Sequence, residues 1–353
     1  MFDKWVVRLL LLCGRFFSPL YSAAMRIRGA LYSTGIFATT RLPLPVVSVG
    51  NLTLGGTGKT PMVIYLARLL ARHGVRVGIV SRGYGGQNRQ PVALVSDGQR
   101  VLLAPAEAGD EPVLLARELP GVPVLISRAR ANGGRYLAQQ GFAGTVILDD
   151  GFQHLALARD LDLVLFASGV PVWRDWVFPG GMLREPPSAL RRADCCVITG
   201  ACGRDAEDDV PLRRWLGRHC PGLPVFMGQY LPVALYDQAQ RRVALSELAG
   251  VPLFAFCGIA NPQAFQRTLA GRFLIKGWEI FADHHPFSDA DMEVLVRRAA
   301  AAGCAALITT EKDYVKVQSL RFSLPIWVLA VELRLEEGFD RFVLKKLQVD
   351  LAT

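Results

Sequence analysis

The sequence predicts an α/β protein: a P-loop-bearing domain on a parallel sheet, followed by a second, smaller α/β domain joined to it by a strand-like linker. Three observations lead there. First, Ser48-Val-Gly-Asn-Leu-Thr-Leu-Gly-Gly-Thr-Gly-Lys-Thr-Pro61 passes from an apolar strand through a glycine-rich loop into helical spacing. Second, the later apolar runs show no polar alternation and are separated by helix-length segments, the pattern of strands buried on both faces. Third, a new strand, turn and helix begin near Gly250.

In chain order, Phe2 to Phe17 is apolar but interrupted by Lys4, Arg8 and Arg15, too short and too charged for a spanning helix. Ser18-Pro-Leu-Tyr21 is also a poor cleavage site for a leader peptide. An interfacial helix fits better: Trp5, Leu9, Leu12, Phe16 and Phe17 enter lipid, and Arg8, Arg15, Arg26 and Arg28 meet head groups. Pro45–Gly50 reads as a buried strand, and Pro61–His73 as a helix with Met62, Tyr65, Leu66, Leu69 and Leu70 on its apolar stripe. Strands follow at Val75–Ser81, Val122–Ser127, Thr145–Asp150, Asp162–Phe166 and Asp194–Thr199. Pro224–Tyr230 and Val233–Leu245 look like extended connectors. Pro252–Cys257, Cys304–Thr309 and Pro325–Ala330 supply the strands of the second domain, with helices from Gln263 and over Ser288–Ala302. The division is residues 1–30, 31–228, 229–249 and 250–353: N-terminal helix, core bearing the glycine loop, linker and smaller domain, with a cleft between the two domains.

The chain has 353 residues, 51% of them hydrophobic, and carries a net charge of +9. Such a basic, apolar protein, with a mean hydropathy of +0.26, suits anionic partners: phosphates of a nucleotide, a nucleic acid or an anionic membrane. No nucleic-acid fold signature or aromatic-interleaved basic run appears, so nucleic acid is not expected. The 7 cysteines form no CxxC pair and no zinc spacing, which indicates reduced thiols serving as small core residues.

The loop departs from G-x-x-x-x-G-K-[ST] at one place, where Thr53 stands for the opening glycine. Phosphate is held by successive backbone N–H groups, a helix N-terminus and a lysine. Thr53, Leu54, Gly55, Gly56, Thr57 and Gly58 supply that curl, Lys59 the ammonium and Thr60 a hydroxyl for Mg²⁺. Asp149-Asp150 ends a strand, where a carboxylate holds Mg²⁺ directly or through water. Gly109-Asp-Glu-Pro112 sets Asp110 at a helix start, either as a cap or as a proton acceptor. Asp283-His-His285, Ser127-Arg-Ala-Arg130 and the Arg184-Glu185 loop complete the candidates.

Taken together, the ordered motifs resemble the tetraacyldisaccharide 4′-kinase family of Gram-negative lipid A synthesis, nearly end to end. They are Gly50–Pro61, Ser81-Arg-Gly-Tyr-Gly85, Gly109–Pro112, Asp149-Asp-Gly-Phe-Gln-His154, Arg184-Glu185, Asp283–His285 and Thr309-Thr-Glu-Lys-Asp313. The resemblance implies transfer of the γ-phosphate of ATP to the 4′-hydroxyl of a tetra-acylated glucosamine disaccharide 1-phosphate, giving lipid IVA. It also implies Lys59 on the phosphates, Mg²⁺ held by Thr60 and Asp149 with Asp150 and Glu185 close by, and Asp110 as base. Either His284 or His285 would assist, with His284 favoured. Arg82, Arg130 and Arg184 would meet the substrate or the developing charge. The implied partners are the acylated disaccharide lipid and the cytoplasmic face of the inner membrane, held peripherally or monotopically, with no obligate protein partner.

Two other readings compete. Membrane-bound partition-type ATPases carry a lysine before the paired glycines, and here that residue is Leu54. A GTPase wants N/T-K-x-D, and Thr310-Glu-Lys-Asp313 does not match it.

Overall fold

The protein, described by a computed structural model over residues 11–200, 209–283 and 285–349, is organised around one 13-stranded sheet. Residues 11–14 are helical, and after a turn at 15–17 helix α1 runs from Ser18 to Ser33 with a proline in its first turn. The expected anchor residues Trp5, Arg8 and Leu9 lie outside the described residues. Among the described residues no helix is long and apolar enough to cross a membrane.

The centre of the sheet is β1 (Val46–Asn51), flanked by parallel β5 (Thr145–Asp149) and β6 (Leu161–Ala167). Every residue of these three strands is buried, as their predominantly apolar sequences require. Helix α2 (Lys59–Arg72) crosses one face and buries Met62, Val63, Leu66, Ala67, Leu69 and Leu70. At roughly 1.5–3 kcal/mol for each large side chain, that stripe fixes the helix whose N-terminus ends the glycine loop.

Outward from β5 lie β2 (Val77–Ser81), β4 (Val124–Ile126) and the antiparallel edge strand β3 (Ala93–Ser96). Helices α3 (Pro105–Ala108), α4 (Asp110–Glu118) and α5 (Arg130–Gln139) connect them. On the other side β6 pairs with β7 (Cys195–Thr199), and after α6 (Val210–His219) β7 pairs with β8 (Val225–Tyr236).

The two connectors read from the sequence form one 12-residue strand, β8, with the two-residue β9 (Arg242–Val243) beside its end. In the second unit, β10 (Pro252–Cys257) is followed by α7 (Pro262–Leu269) and β11 (Leu274–Ile280). Helix α8 (Asp289–Ala301), β12 (Ala306–Thr310), α9 (Glu311–Val317), β13 (Ile326–Leu335) and α10 (Phe339–Lys346) complete the chain. β13 runs antiparallel to β8, so the sheet passes without a gap from the first unit into the second.

One correction concerns the cysteines. Cys195, Cys196, Cys220, Cys257 and Cys304 are buried as expected, but Cys13 is exposed. It lies in the helical turn ahead of α1, where nothing but one face of the chain is covered.

Candidate active site

Because β1 pairs with β5 on one side and β6 on the other, its C-terminal end is a switch point where the connections diverge. The glycine loop occupies that end. Register pairs Val49 with Asp149, which sets the acidic pair beside the loop. Thr53 is buried and forms a bridge with Leu183, while the Leu54 N–H donates to the Met182 carbonyl at 2.6 Å. Thr53 thus leaves the strand in extended backbone, a task that needs no glycine. Asn51 Nδ2 donates to the Gly55 carbonyl at 3.1 Å, and Thr199 Oγ1 donates to the Thr57 carbonyl at 2.8 Å. These bonds tie two of the loop carbonyls to side chains of the first unit. Gly58, at φ 79°, is the turn into α2.

That loop opens on a cavity of about 840 Å³ between the two units. Lys59, Thr60 and Tyr230 line it from one side, and Asn261, Glu311 and Lys312 from the other. The size falls in the usual range for a small-molecule site.

Lys59 Nζ lies 3.6 Å from Asp150 Oδ1, and Arg184 Nη1 donates to both oxygens of Asp150 at 2.9 Å. Burial opposes ionisation of Asp150, yet Lys59 and Arg184 outweigh it and hold the carboxyl below its ordinary range. Asp150 also has φ 55°, an uncommon conformation for a residue with a side chain, of the kind that collects at functional sites.

Its neighbour behaves oppositely. Asp149 is buried, and burial together with Glu111 and Asp150 pushes its carboxyl up to about 7. The Ser81 hydroxyl donates to Oδ2 at 2.9 Å, whereas Oδ1 is buried with no hydrogen-bond partner among the described residues. An unsatisfied, crowded carboxylate oxygen next to a phosphate loop fits a divalent cation. Among the described residues no three His, Cys, Asp or Glu side chains come together as a metal cluster. Glu185 is buried, and both its oxygens accept from Arg192 Nη2, at 3.1 and 3.0 Å.

Arg130 is 3% exposed and donates to the carbonyls of Ser127 at 3.1 Å and Asp149 at 3.3 Å, bracing the strand end from behind. Arg82 is exposed. Between them and Arg28 sits His154, pushed down to about 4 by burial and then by the surrounding arginines, Arg130 foremost. The guanidiniums gathered around this neutral imidazole suit an anion.

Asp110 opens α4. Gly109 precedes it at φ 92° and ψ 159°, and a Cβ there would come 2.3 Å from the Tyr84 carbonyl oxygen, so only glycine makes this turn. Asp110 Oδ2 lies 3.6 Å from Lys316 Nζ. Of the histidine pair, His285 stacks on Phe281 at 4.6 Å and places Nε2 3.2 Å from Asp291 Oδ2. His284 lies outside the described residues.

Sequence reasoning missed Ser81, Arg192, Tyr230, Lys312 and Lys316 as members of this region. Ser81 and Lys312 stood within quoted motifs; the others carried no local signal.

A sequence model of the family described as "Tetraacyldisaccharide-1-P 4'-kinase" matches residues 9–348. The tetraacyldisaccharide 4′-kinase of Desulfotalea psychrophila is 43% identical over 329 residues, covering 93% of this chain and 94% of that protein. That of Syntrophus aciditrophicus is 40% identical over 344 residues, covering 94% and 92%. The crystal structure of LpxK from Aquifex aeolicus in complex with ATP superposes with a TM-score of 0.75 at 31% identity, covering 94% of this chain and 97% of that one.

Proposed function

The chain belongs to the tetraacyldisaccharide-1-P 4′-kinase family, and from that premise we propose how its residues carry the reaction. It is an ATP-dependent kinase of lipid A synthesis, moving the γ-phosphate of ATP to the 4′-hydroxyl of a tetra-acylated glucosamine disaccharide 1-phosphate.

The observation that carries the assignment is the meeting of three things at one strand end: the loop's helix N-terminus, Lys59 and the unsatisfied Oδ1 of Asp149. Thr53 to Thr60 receive the triphosphate, with Lys59 drawn from Asp150 toward it. Thr60 and Asp149 would hold Mg²⁺, which would supply positive charge to the phosphates. Asp150 and Glu185 stand behind them, each already matched by an arginine.

Asp110 accepts the proton of the 4′-hydroxyl as its oxygen attacks phosphorus and ADP departs. We take His284 as the assisting histidine, a reading supported by the pairing of His285 with Asp291. Arg82 and Arg184, with Arg130 bracing the pocket floor, meet the sugar and phosphate of the acceptor. Phosphoryl transfer needs mostly positioning and charge neutralisation, which is what this set supplies.

The acceptor is a lipid, so the enzyme works where lipid is. We place α1 on the cytoplasmic face of the inner membrane. Phe16, Phe17 and Leu20 are 88%, 63% and 72% exposed. Trp176 and Phe178 extend that apolar surface: Arg15 lies over the Trp176 ring at 5.7 Å, and Tyr21 meets Phe178 edge-on at 5.7 Å. Single exposed apolar residues mean little, but a contiguous patch rimmed by arginines fits an anionic bilayer. We likewise read residues 31–228 as the kinase core, 229–249 as the linker and 250–353 as the smaller domain.

Incubating the purified chain with γ-labelled ATP and a 1-phosphorylated tetraacyl disaccharide tests the whole reading. Label should appear at the 4′ position, and absence of a bisphosphorylated lipid would refute it.

A further inference from the structure

The smaller unit sends two lysines, one helical turn apart, toward the start of α4. Residues four apart share a helix face, so Lys312 and Lys316 project from α9 in the same direction. Lys316 Nζ lies 3.2 Å from Asp313 Oδ1 and 3.6 Å from Asp110 Oδ2. Lys312 Nζ lies 3.3 Å from both Glu111 Oε1 and Asp283 Oδ1. Each ammonium therefore joins a carboxylate of the Gly109–Pro112 motif to a carboxylate of the second unit.

The Lys316–Asp313 pair is not a solvated surface pair. Asp313 is completely buried, and its second oxygen accepts from the Gly258 N–H and the Thr310 hydroxyl, each at 2.9 Å. The side chain of Lys316 is only 9% exposed, and its Nζ sits 5.6 Å from the centre of the Phe287 ring. Asp313 below and Phe287 beside it fix the lysine, so its ammonium is delivered to Asp110 at a set position. An exposed lysine would shed most of this in solvent and rotamer freedom. For Lys312, burial works against the charge, but Glu111 and Asp283 outweigh it and raise the ammonium's pKa.

A carboxylate that is to take a proton must be ionised beforehand and aimed at the hydroxyl. A fixed ammonium at ion-pair distance, 3.6 Å from Oδ2, does both. We propose that Lys316 is the positioning residue for Asp110, and that α9, through Lys316 and Lys312, assembles the proton acceptor across the cleft. This assigns a role to the Thr309-Thr-Glu-Lys-Asp313 motif, and it rests on Asp110 being the base.

The test uses the full chain and compares Lys316→Met, Lys316→Arg and the double variant Asp313→Asn/Lys316→Met with Asp110→Asn, by steady-state kinetics on lipid vesicles and thermal unfolding. Lys316→Met should lower kcat roughly ten- to a hundredfold, the scale of a misplaced catalytic group. The KM for ATP should stay within about twofold, since the phosphate loop is untouched. Lys316→Met also strands the buried Asp313 and should unfold earlier. The double variant removes that stranded charge, so it should recover Tm but not kcat, while Lys316→Arg should recover much of the kcat. Full kcat in Lys316→Met, or kcat returning together with Tm in the double variant, overturns the positioning role and leaves the base standing. Wild-type turnover in Asp110→Asn overturns both.

Discussion

Gly58 and Tyr230 meet so closely that a Cβ on Gly58 would lie 1.7 Å from the tyrosine hydroxyl oxygen. Gly58 belongs to the phosphate loop, and Tyr230 to the strand that leads from the first unit into the second. The last turn of the loop is thus shaped both by φ 79°, which costs an L-residue about 1–2 kcal/mol, and by the linker strand packed against it. Gly58→Ala should lower Tm and abolish ATP binding. Adding Tyr230→Phe removes the clashing oxygen and leaves Cζ, at 3.0 Å, as the nearest tyrosine atom, so the double variant should regain part of the Tm but not all. Thermal shift with and without ATP checks this; a single variant as stable as wild type would contradict the packing.

Lys59 is held by Asp150 at 3.6 Å, and Asp150 is also gripped by Arg184. Lys59→Ala leaves Asp150 paired, so the fold should survive with a near-normal Tm. Lipid phosphorylation should disappear, and normal turnover would remove the loop from the mechanism.

Asp110→Asn keeps the size of the side chain but removes the proton acceptor. Turnover should fall by about 10²–10⁴, the usual range for a general base, while ATP affinity measured by calorimetry changes little. Equal losses in both would mean that Asp110 organises the site rather than accepting the proton.

Glu311 lines the cavity, and burial, aided by Glu118, pushes its carboxyl up to about 8. Its folded pKa lies above its unfolded one, so the protonated form is the one that folding favours. The stability it contributes is fully present below its ordinary pKa, declines as pH rises, and is gone above about 8. Glu311→Gln, which mimics the neutral acid, should therefore gain Tm over wild type as pH rises from 5 to 9. A Tm difference flat across that range would show that the carboxyl titrates normally.

Phe16 and Phe17 are exposed apolar groups just ahead of α1, and Arg15 beside them lies over the Trp176 ring. Replacing Phe16, Phe17 and Trp176 by serine should release the protein from anionic vesicles in a sedimentation assay, while ATP binding persists. Unchanged lipid binding would move the membrane contact elsewhere.

Which parts were legible follows from range. The strands around β1 showed in the sequence because burial on both faces demands a predominantly apolar run, and the loop showed because its glycines and Lys59 are local requirements. β3 and β11 escaped notice because edge strands need no such run: β3 has only four residues, and no residue of β11 is fully buried. Helix α9 was hidden by its charged sequence, Glu-Lys-Asp, which reads as solvated surface until Asp313 is seen to be buried.

The sequence by itself determined the α/β class, the phosphate loop, the acidic pair at the end of β5 and the family, because each depends on neighbouring residues. Only the tertiary structure decided that Asp149 is crowded and unsatisfied while Asp150 is neutralised by Lys59 and Arg184. It alone brought Lys316 to Asp110. Burial and charge pairing act through space, so Glu111 supports the charge on Lys312 only because the sheet carries the two to the same cleft.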